Sequence, residues 1–247
     1  MTDPQPLAPQ PQPEKYPFWG WLDVALLSTL ALPLILPMVS GGGSTPHPPS
    51  PIPRERAVTA LLLTFSFYGV WFLALYALIR LRYGRPFWRS LAWLRPPRGL
   101  WDSAGWGLLL ALAAILLGVL LRPPEIKTPL DDLLQDRASL MLIGVFGVTL
   151  GPLCEELMFR GFLMPLLVRS FGALTGVLAA AIPFALLHGF QYAWNWQRLV
   201  IIFLAGAAFG WMRHRSGSTA AAALMHAAYN LTQFAITLVA QRQGLVR

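Results

Sequence analysis

Residues 138–168 read ASLMLIGVFGVTLGPLCEELMFRGFLMPLLV, an apolar stretch with two adjacent acids near its centre. A helix that crosses a membrane needs roughly 20 mostly apolar residues, so this stretch is long enough to span one. Ionisable side chains are costly at membrane depth, and each one there is a functional hypothesis by default. Glu155, Glu156 and Arg160 lie close together in this stretch. The pattern predicts a polar site built from apolar helices.

The composition of the chain indicates the same class of protein. Hydrophobic residues make up 55% of the 247 residues and charged residues 12%, with a mean hydropathy of +0.53. A soluble domain usually carries about 25% charged residues. We therefore predict an all-α fold, a polytopic transmembrane helix bundle. The single cysteine, Cys154, excludes an intramolecular disulfide, and in an apolar helix it is expected to be a small buried hydrophobe.

Apolar runs and turn residues divide the chain into three predicted regions. Residues 1–17 form a disordered tail rich in Pro and Gln, 18–137 hold N-terminal transmembrane helices and loops, and 138–240 form the membrane core with the polar residues. Gly151-Pro152 interrupts the long run, which is either one kinked helix or two short ones. The count is therefore seven or eight spans. The predicted helices cover 18–39, 57–79, 101–121, 138–168, 174–188, 199–212 and 219–239.

Basic loops predict the orientation of the chain in a membrane. The loop after the second helix carries six arginines and no acid, and the loop after the sixth reads Arg213-His214-Arg215. With seven spans both loops lie on the side of the N-terminus, which we place in the cytoplasm of a bacterial cell. The net charge of +8 suits this topology and contact with a lipid bilayer, and no nucleic-acid partner is expected.

Helical spacing predicts which polar residues share a face. Glu156 and Arg160 are four residues apart and can pair, which turns Glu155 elsewhere, towards a polar cavity where it can act in proton transfer. His226 and Asn230 have the same spacing and can offer two donors to an oxyanion. His188 follows Phe184 by one turn and can orient water. The alternative for each group is structural: a buried ion pair, an interfacial histidine, or an interhelical hydrogen-bond network.

The three motifs together resemble a known family. EExxxR, FxxxH and HxxxN, in this order on separate predicted membrane helices, look like the CPBP family of CAAX proteases and bacteriocin-processing enzymes, also called the Abi family. The resemblance covers 138–239 and implies an intramembrane endopeptidase, a hydrolase related to the type II CAAX prenyl endopeptidase. The matching residues are Glu155, Glu156 and Arg160 in the first motif, Phe184 and His188 in the second, and His226 and Asn230 in the third.

The resemblance also implies roles for these residues. Glu155 is expected to be the general base for water, and His188 to share in holding that water. His226 and Asn230 are expected to stabilise the oxyanion, while Glu156 and Arg160 support the site. The family has been described both as zinc-dependent and as a metal-independent glutamate protease. Zinc bound by Glu155, His188 and His226 therefore stays open, although the motif is not His-Glu-x-x-His and we expect no tightly held metal.

Three functions remain at the level of sequence. The first is a protease that acts on a membrane-associated peptide or protein. The second is a proton-coupled transporter, since intramembrane Glu and His also build proton relays, but no internal repeat supports it. The third is a non-catalytic scaffold or bacteriocin-immunity protein, against which the intact motifs argue. The pattern from Gly206 to Gly210 is expected to be ordinary small-residue packing. Substrate identity and oligomeric state stay open.

Overall fold

The structure, a computed structural model, describes residues 16–30, 54–124 and 137–243. Within these ranges the chain forms helices and turns without a strand, which confirms the all-α prediction. The predicted tail lies outside the described residues up to residue 15, and the predicted first helix lies outside them from residue 31.

The described ranges contain ten α-helices. Two π-helical segments, Leu78–Arg82 and Leu157–Leu163, continue the second and sixth of them, and a short 3-10 turn covers Phe190–Tyr192. The α-helices are α1 (Trp21–Thr29), α2 (Arg54–Ala77), α3 (Phe87–Ser90), α4 (Leu100–Leu121), α5 (Arg137–Val148), α6 (Leu150–Glu156), α7 (Met164–Phe171), α8 (Ala173–Leu187), α9 (Trp196–Ser216) and α10 (Thr219–Arg242).

Turn chemistry fixes the boundary between α9 and α10. Gly217 ends α9 with φ at +68°, a left-handed conformation that glycine adopts without steric cost. Ser218 then caps α10, because its side chain accepts a hydrogen bond from the backbone N–H of Ala221. The predicted helices 174–188 and 219–239 therefore correspond closely to α8 and α10.

The break in the long apolar stretch lies at Thr149, between α5 and α6, which meet at an angle of 40°. We predicted the break at Gly151-Pro152, and both residues instead lie inside α6. Pro152 is tolerated there because it falls in the first turn of the helix, where its missing N–H removes no intrahelical bond.

Fewer helices than predicted are long and apolar enough to cross a membrane. Among the described residues, Leu62–Arg82 and Leu100–Leu121 meet this condition, and a third span results if the bent pair Ser139–Val148 and Leu150–Phe171 counts as one. The predicted count of seven or eight is therefore not confirmed. One physical reason is composition: α9 carries Gln197 and Arg198 in its first turn and has basic residues in its last turn.

The second half of the chain packs tightly around glycines. Helix α10 lies along α4, and a Cβ on Gly107 would stand 2.2 Å from the carbonyl oxygen of Met225. Helix α8 packs against both α7 and α9, and a Cβ on Gly176 would stand 2.5 Å from the backbone nitrogen of Val168. These close approaches fix the positions of α8 and α10, next to the segments that carry the two acids and Arg160.

An aromatic N-terminal segment completes the packing around the π-helical segment Leu157–Leu163. Trp19 is 1% exposed, and its indole N–H donates to the carbonyl oxygen of Phe162 at 3.0 Å. The two rings stack with centroids 5.2 Å apart. They share a core cluster with Trp71 and Leu75 of α2. The segment that follows the two acids is thus packed against Trp19 and α2.

Candidate active site

The acid pair lies at the junction between an α-helix and a π-helix. Glu155 and Glu156 end α6, and Arg160 lies in the π-helical segment that begins at Leu157. The exposed fraction is 8% for Glu155 and zero for Glu156 and Arg160. Short π-helical insertions occur frequently at functional sites, because they redirect side chains that a regular helix would align. Three ionisable groups are therefore buried within two turns.

Glu156 and Arg160 form the buried pair that their spacing predicts. The Nη1 of Arg160 donates to Oε1 of Glu156 at 2.7 Å, and its Nη2 donates to the carbonyl oxygen of Gly206 at 2.6 Å. The guanidinium also lies 4.5 Å from the ring centroid of Phe184, within the range of a cation–π contact. These contacts partly compensate the guanidinium for the loss of water, although its Nε is buried without a hydrogen-bond partner among the described residues.

His226 lies between the two glutamates. Its Nδ1 is 2.9 Å from Oε1 of Glu156, and its Nε2 is 3.9 Å from Oε2 of Glu155. We assign the Nδ1 proton to His226, because an ionised carboxylate can only accept. The imidazole stacks on Phe209 with centroids 4.4 Å apart. The ring thus presents Nε2 towards Glu155.

Glu155 has a different set of partners from Glu156. Its Oε1 accepts a hydrogen bond from the hydroxyl of Tyr68, on α2, at 2.5 Å. Its Oε2 is buried and has no hydrogen-bond partner among the described residues. Buried polar atoms in native proteins nearly always have partners. Oε2 of Glu156 is likewise buried without one among the described residues, so the two acids differ in the partners of their other oxygen. Glu155 therefore offers a free acceptor in the site.

His188 and Asn230 lie around this cluster and do not join it. The Nδ1 of His188 is 2.8 Å from the carbonyl oxygen of Phe184, in its own helix. The Phe184 ring lies between the histidines, with its centroid 4.9 Å from that of His188 and 5.8 Å from that of His226. One amide hydrogen of Asn230 is donated to the carbonyl oxygen of Gly147 at 2.7 Å, which leaves the second amide hydrogen for another acceptor.

The residues of the predicted zinc option do not assemble into a metal site. The described ranges contain no group of three or more His, Cys, Asp or Glu side chains placed to hold one ion. His226 has both ring nitrogens directed at carboxylates, and Nδ1 of His188 is held by the Phe184 carbonyl. The arrangement therefore does not fit zinc bound by Glu155, His188 and His226.

The pattern from Gly206 to Gly210 lies against the site. A Cβ on Gly206 would stand 2.8 Å from Cδ1 of Phe184 and 3.3 Å from Nη2 of Arg160. A Cβ on Gly210 would stand 3.0 Å from Cγ1 of Val177. The predicted small-residue packing is therefore present, and at Gly206 it brings a backbone carbonyl within reach of the buried guanidinium.

An apolar cavity of about 450 Å³ adjoins the same helices. Pro152 and Leu153 line it from α6, one turn before the two acids, and Ala223 lines it from α10, one turn before His226. Arg95 also lines the cavity and is exposed. Its other lining residues are Trp93, Leu94, Pro96, Leu100, Thr149, Ala220, Leu224 and Ala227.

The sequence did not reveal three contributors to the site. Tyr68 is one polar group in a long apolar helix and belongs to no motif. Phe209 resembles any core aromatic residue, and the Gly206 carbonyl belongs to the backbone. Cys154, by contrast, is buried as predicted, with 8% of its surface exposed.

Comparison with known proteins supports the motif-based resemblance. Residues 137–232 match a family model described as Rce1-like, "Type II CAAX prenyl endopeptidase Rce1-like". Searches of curated proteins and of solved structures found no match to the chain. The matched segment contains all three motifs, with the two acids and with both motif histidines, His188 and His226. The match over residues 137–232 confirms the resemblance to the CAAX and CPBP proteases for this part of the chain.

Proposed function

We propose that the protein is an intramembrane endopeptidase that hydrolyses a peptide bond in a membrane-associated protein or peptide. The observation that carries this proposal is Glu155, a buried acid that a neutral hydroxyl anchors through one oxygen, that has no basic partner at hydrogen-bond distance among the described residues, and that lies next to His226. A carboxylate that can accept a proton at such a place is what general-base activation of water requires. The family match supports a protease, and the local geometry supports this choice of base.

The proposed reaction uses water as the nucleophile. The water oxygen attacks the peptide carbonyl carbon while one water proton moves to Oε2 of Glu155. Asn230 would stabilise the resulting oxyanion through its second amide hydrogen, and His226 would do so through Nε2–H when both of its ring nitrogens carry protons. Collapse of the intermediate breaks the C–N bond, and the proton passes from Glu155 to the leaving amine. The products are one new carboxylate and one new amine.

The remaining polar groups hold this machinery in place. Glu156 fixes the orientation of His226 through Nδ1, and Arg160 holds Glu156 in place by direct pairing. His188 would contact the water or the substrate through its Nε2, because its Nδ1 is held by the Phe184 carbonyl. None of these steps requires a metal ion to balance.

The apolar cavity beside the acids is a suitable place for the substrate. Its lining is almost entirely apolar, and it lies one helical turn from Glu155 and from His226. Apolar pockets with a few convergent polar groups are the usual form of a ligand site. A hydrophobic segment of a membrane-associated chain fits such a lining. We place the protein in a bacterial cell membrane as a multi-pass protein, with its N-terminus in the cytoplasm.

The test is a comparison of the membrane and secreted peptidomes of cells that carry the wild-type protein or Glu155→Ala at matched protein levels. New C-termini that appear only with the wild type would support the protease and identify its substrate. Identical peptidomes, with normal growth of the mutant cells, would favour the non-catalytic scaffold. A pH-gradient-dependent uptake signal that Glu155→Gln abolishes would instead favour the transporter.

A further inference from the structure

We propose that Tyr68 is a positioning residue of the active site: it holds Oε1 of Glu155 so that Oε2 faces the reacting water. The inference rests on the proposed function. Tyr68 lies on α2, outside the segment 137–232 that matches the protease family. If correct, the active site is assembled from two separate parts of the chain.

The contact between Tyr68 and Glu155 has the geometry of a charge-assisted hydrogen bond. The hydroxyl donates to Oε1 at 2.5 Å, which is at the short end of the range for an O–H group and a carboxylate. Such bonds are stronger than neutral ones, and a site without bulk water strengthens them further. The bond fixes one oxygen and therefore the rotation of the whole carboxylate.

The tyrosine ring is held firmly enough to impose this orientation. Phe146 of α5 meets it edge to face, with centroids 5.1 Å apart and planes at 79°. Phe146 itself stacks on Phe65, one turn before Tyr68 in the sequence, with centroids 3.9 Å apart. A packed aromatic cluster that joins α2 to α5 thus holds the hydroxyl next to Glu155.

The division of partners between the two acids argues for a role beyond packing. Arg160 and His226 both bind Oε1 of Glu156 and anchor it. Among the described residues Glu155 has no basic partner at hydrogen-bond distance, since Nε2 of His226 stands 3.9 Å from its Oε2. A neutral hydroxyl anchors Glu155 without neutralising it. This arrangement keeps its second oxygen available as a base, which an arginine in the same place would oppose.

The test compares Tyr68→Phe with Tyr76→Phe in the full-length protein in detergent. Tyr76 is a matched control, because it lies on the same helix two turns later, is 43% exposed and has ring contact with Phe87. The infrared difference between the wild type and Glu155→Gln identifies the carboxyl band of Glu155. We expect Tyr68→Phe to shift that band and Tyr76→Phe to leave it in place.

The second readout is cleavage of a fluorescence-quenched peptide with a farnesylated CAAX C-terminus, or of the substrate that the peptidomes identify. We expect Tyr68→Phe to lower kcat roughly 10- to 100-fold, as the loss of a supporting hydrogen bond does. KM should stay within about twofold, because the hydroxyl does not bind substrate. Tyr76→Phe should leave both constants unchanged.

The outcomes separate this inference from the proposed function. An unshifted Glu155 band in Tyr68→Phe would overturn the hydrogen bond. A shifted band with unchanged kcat, or an equal loss in Tyr76→Phe, would overturn the role of Tyr68 and leave the protease intact. Absence of cleavage by the wild type, in the probe assay and in the peptidomes alike, would overturn the proposed function and the catalytic role of Tyr68 with it.

Discussion

The two neighbouring glutamates have different hydrogen-bond partners. Glu156 is fully buried and accepts hydrogen bonds from a guanidinium and an imidazole. Glu155 accepts one from a tyrosine hydroxyl and has no basic partner at hydrogen-bond distance among the described residues, while each glutamate keeps one buried oxygen without a partner. The Glu156 side is therefore suited to stability and the Glu155 side to chemistry, and His226 connects them. Adjacent residues can take opposite roles because successive helical side chains diverge by about 100°.

The sharpest way to separate the two sides is Glu155→Gln. The amide keeps an oxygen for Tyr68 but cannot act as a base, so cleavage should fall roughly 10²- to 10⁴-fold, the usual contribution of general acid–base catalysis. The melting temperature in detergent should change little. The measurement is the rate at which wild-type-dependent C-termini appear. Cleavage at the wild-type rate would mean that Glu155 is not the base.

On the Glu156 side, the largest effect expected is on stability. Arg160→Met leaves the carboxylate of Glu156 buried without its guanidinium partner, with His226 alone bound to Oε1, which should lower the free energy of unfolding by about 3–5 kcal/mol. Denaturation in mixed micelles measures this change. Arg215→Met is the control, because Arg215 is exposed at the end of α9 and should change stability by less than about 0.5 kcal/mol. Equal losses in both variants would contradict the comparison.

The position of α10, which carries His226, can be tested with two glycines of α4. A Cβ on Gly107 would stand 2.2 Å from the Met225 carbonyl oxygen, whereas a Cβ on Gly105 would meet nothing within 4 Å. Gly107→Ala should therefore destabilise the protein by about 1–3 kcal/mol and lower cleavage. Gly105→Ala should do neither. Similar behaviour of the two variants would show that the contact of α4 with α10 does not position His226.

The smallest effect concerns the ring that stacks on His226. Phe209→Leu removes a contact with a centroid distance of 4.4 Å and should cost about 0.5–1.5 kcal/mol beyond its change in buried area. Phe171→Leu is the control, because Phe171 is 58% exposed. Thermal unfolding in detergent compares them, and a larger loss for Phe171→Leu would argue against a role of the stack.

Spacing along single helices predicted much of the cluster. The four-residue separation of Glu156 and Arg160 predicted their ion pair, and the observed Nη1–Oε1 distance of 2.7 Å confirms it. Apolar runs predicted helix bounds that lie near those of α4, α8 and α10. These features are local, because one helical turn fixes which side chains meet.

Contacts between distant helices were not predictable in the same way. Tyr68 reaches Glu155 because of how α2 packs on α5 and α6, and no pattern in α2 indicates that packing. The four-residue spacing of Glu156 and Arg160 predicted that Glu155 faces a polar cavity, but it predicted no hydrogen-bond partner for Glu155. The predicted position of the helix break, Gly151-Pro152, was likewise wrong. The break lies at Thr149, because a proline in the first turn of a helix does not interrupt that helix.

The bond between Trp19 and Phe162 has a consequence for protein engineering. Phe162 lies two residues after Arg160 in the family-matched segment, whereas Trp19 lies far outside it. A chimera that grafts residues 137–232 onto the upstream helices of a relative would leave the Phe162 carbonyl without its indole donor. The structure that supports this site therefore extends beyond the segment that matches the family, and a library of recombined proteins should keep Trp19 together with its acceptor.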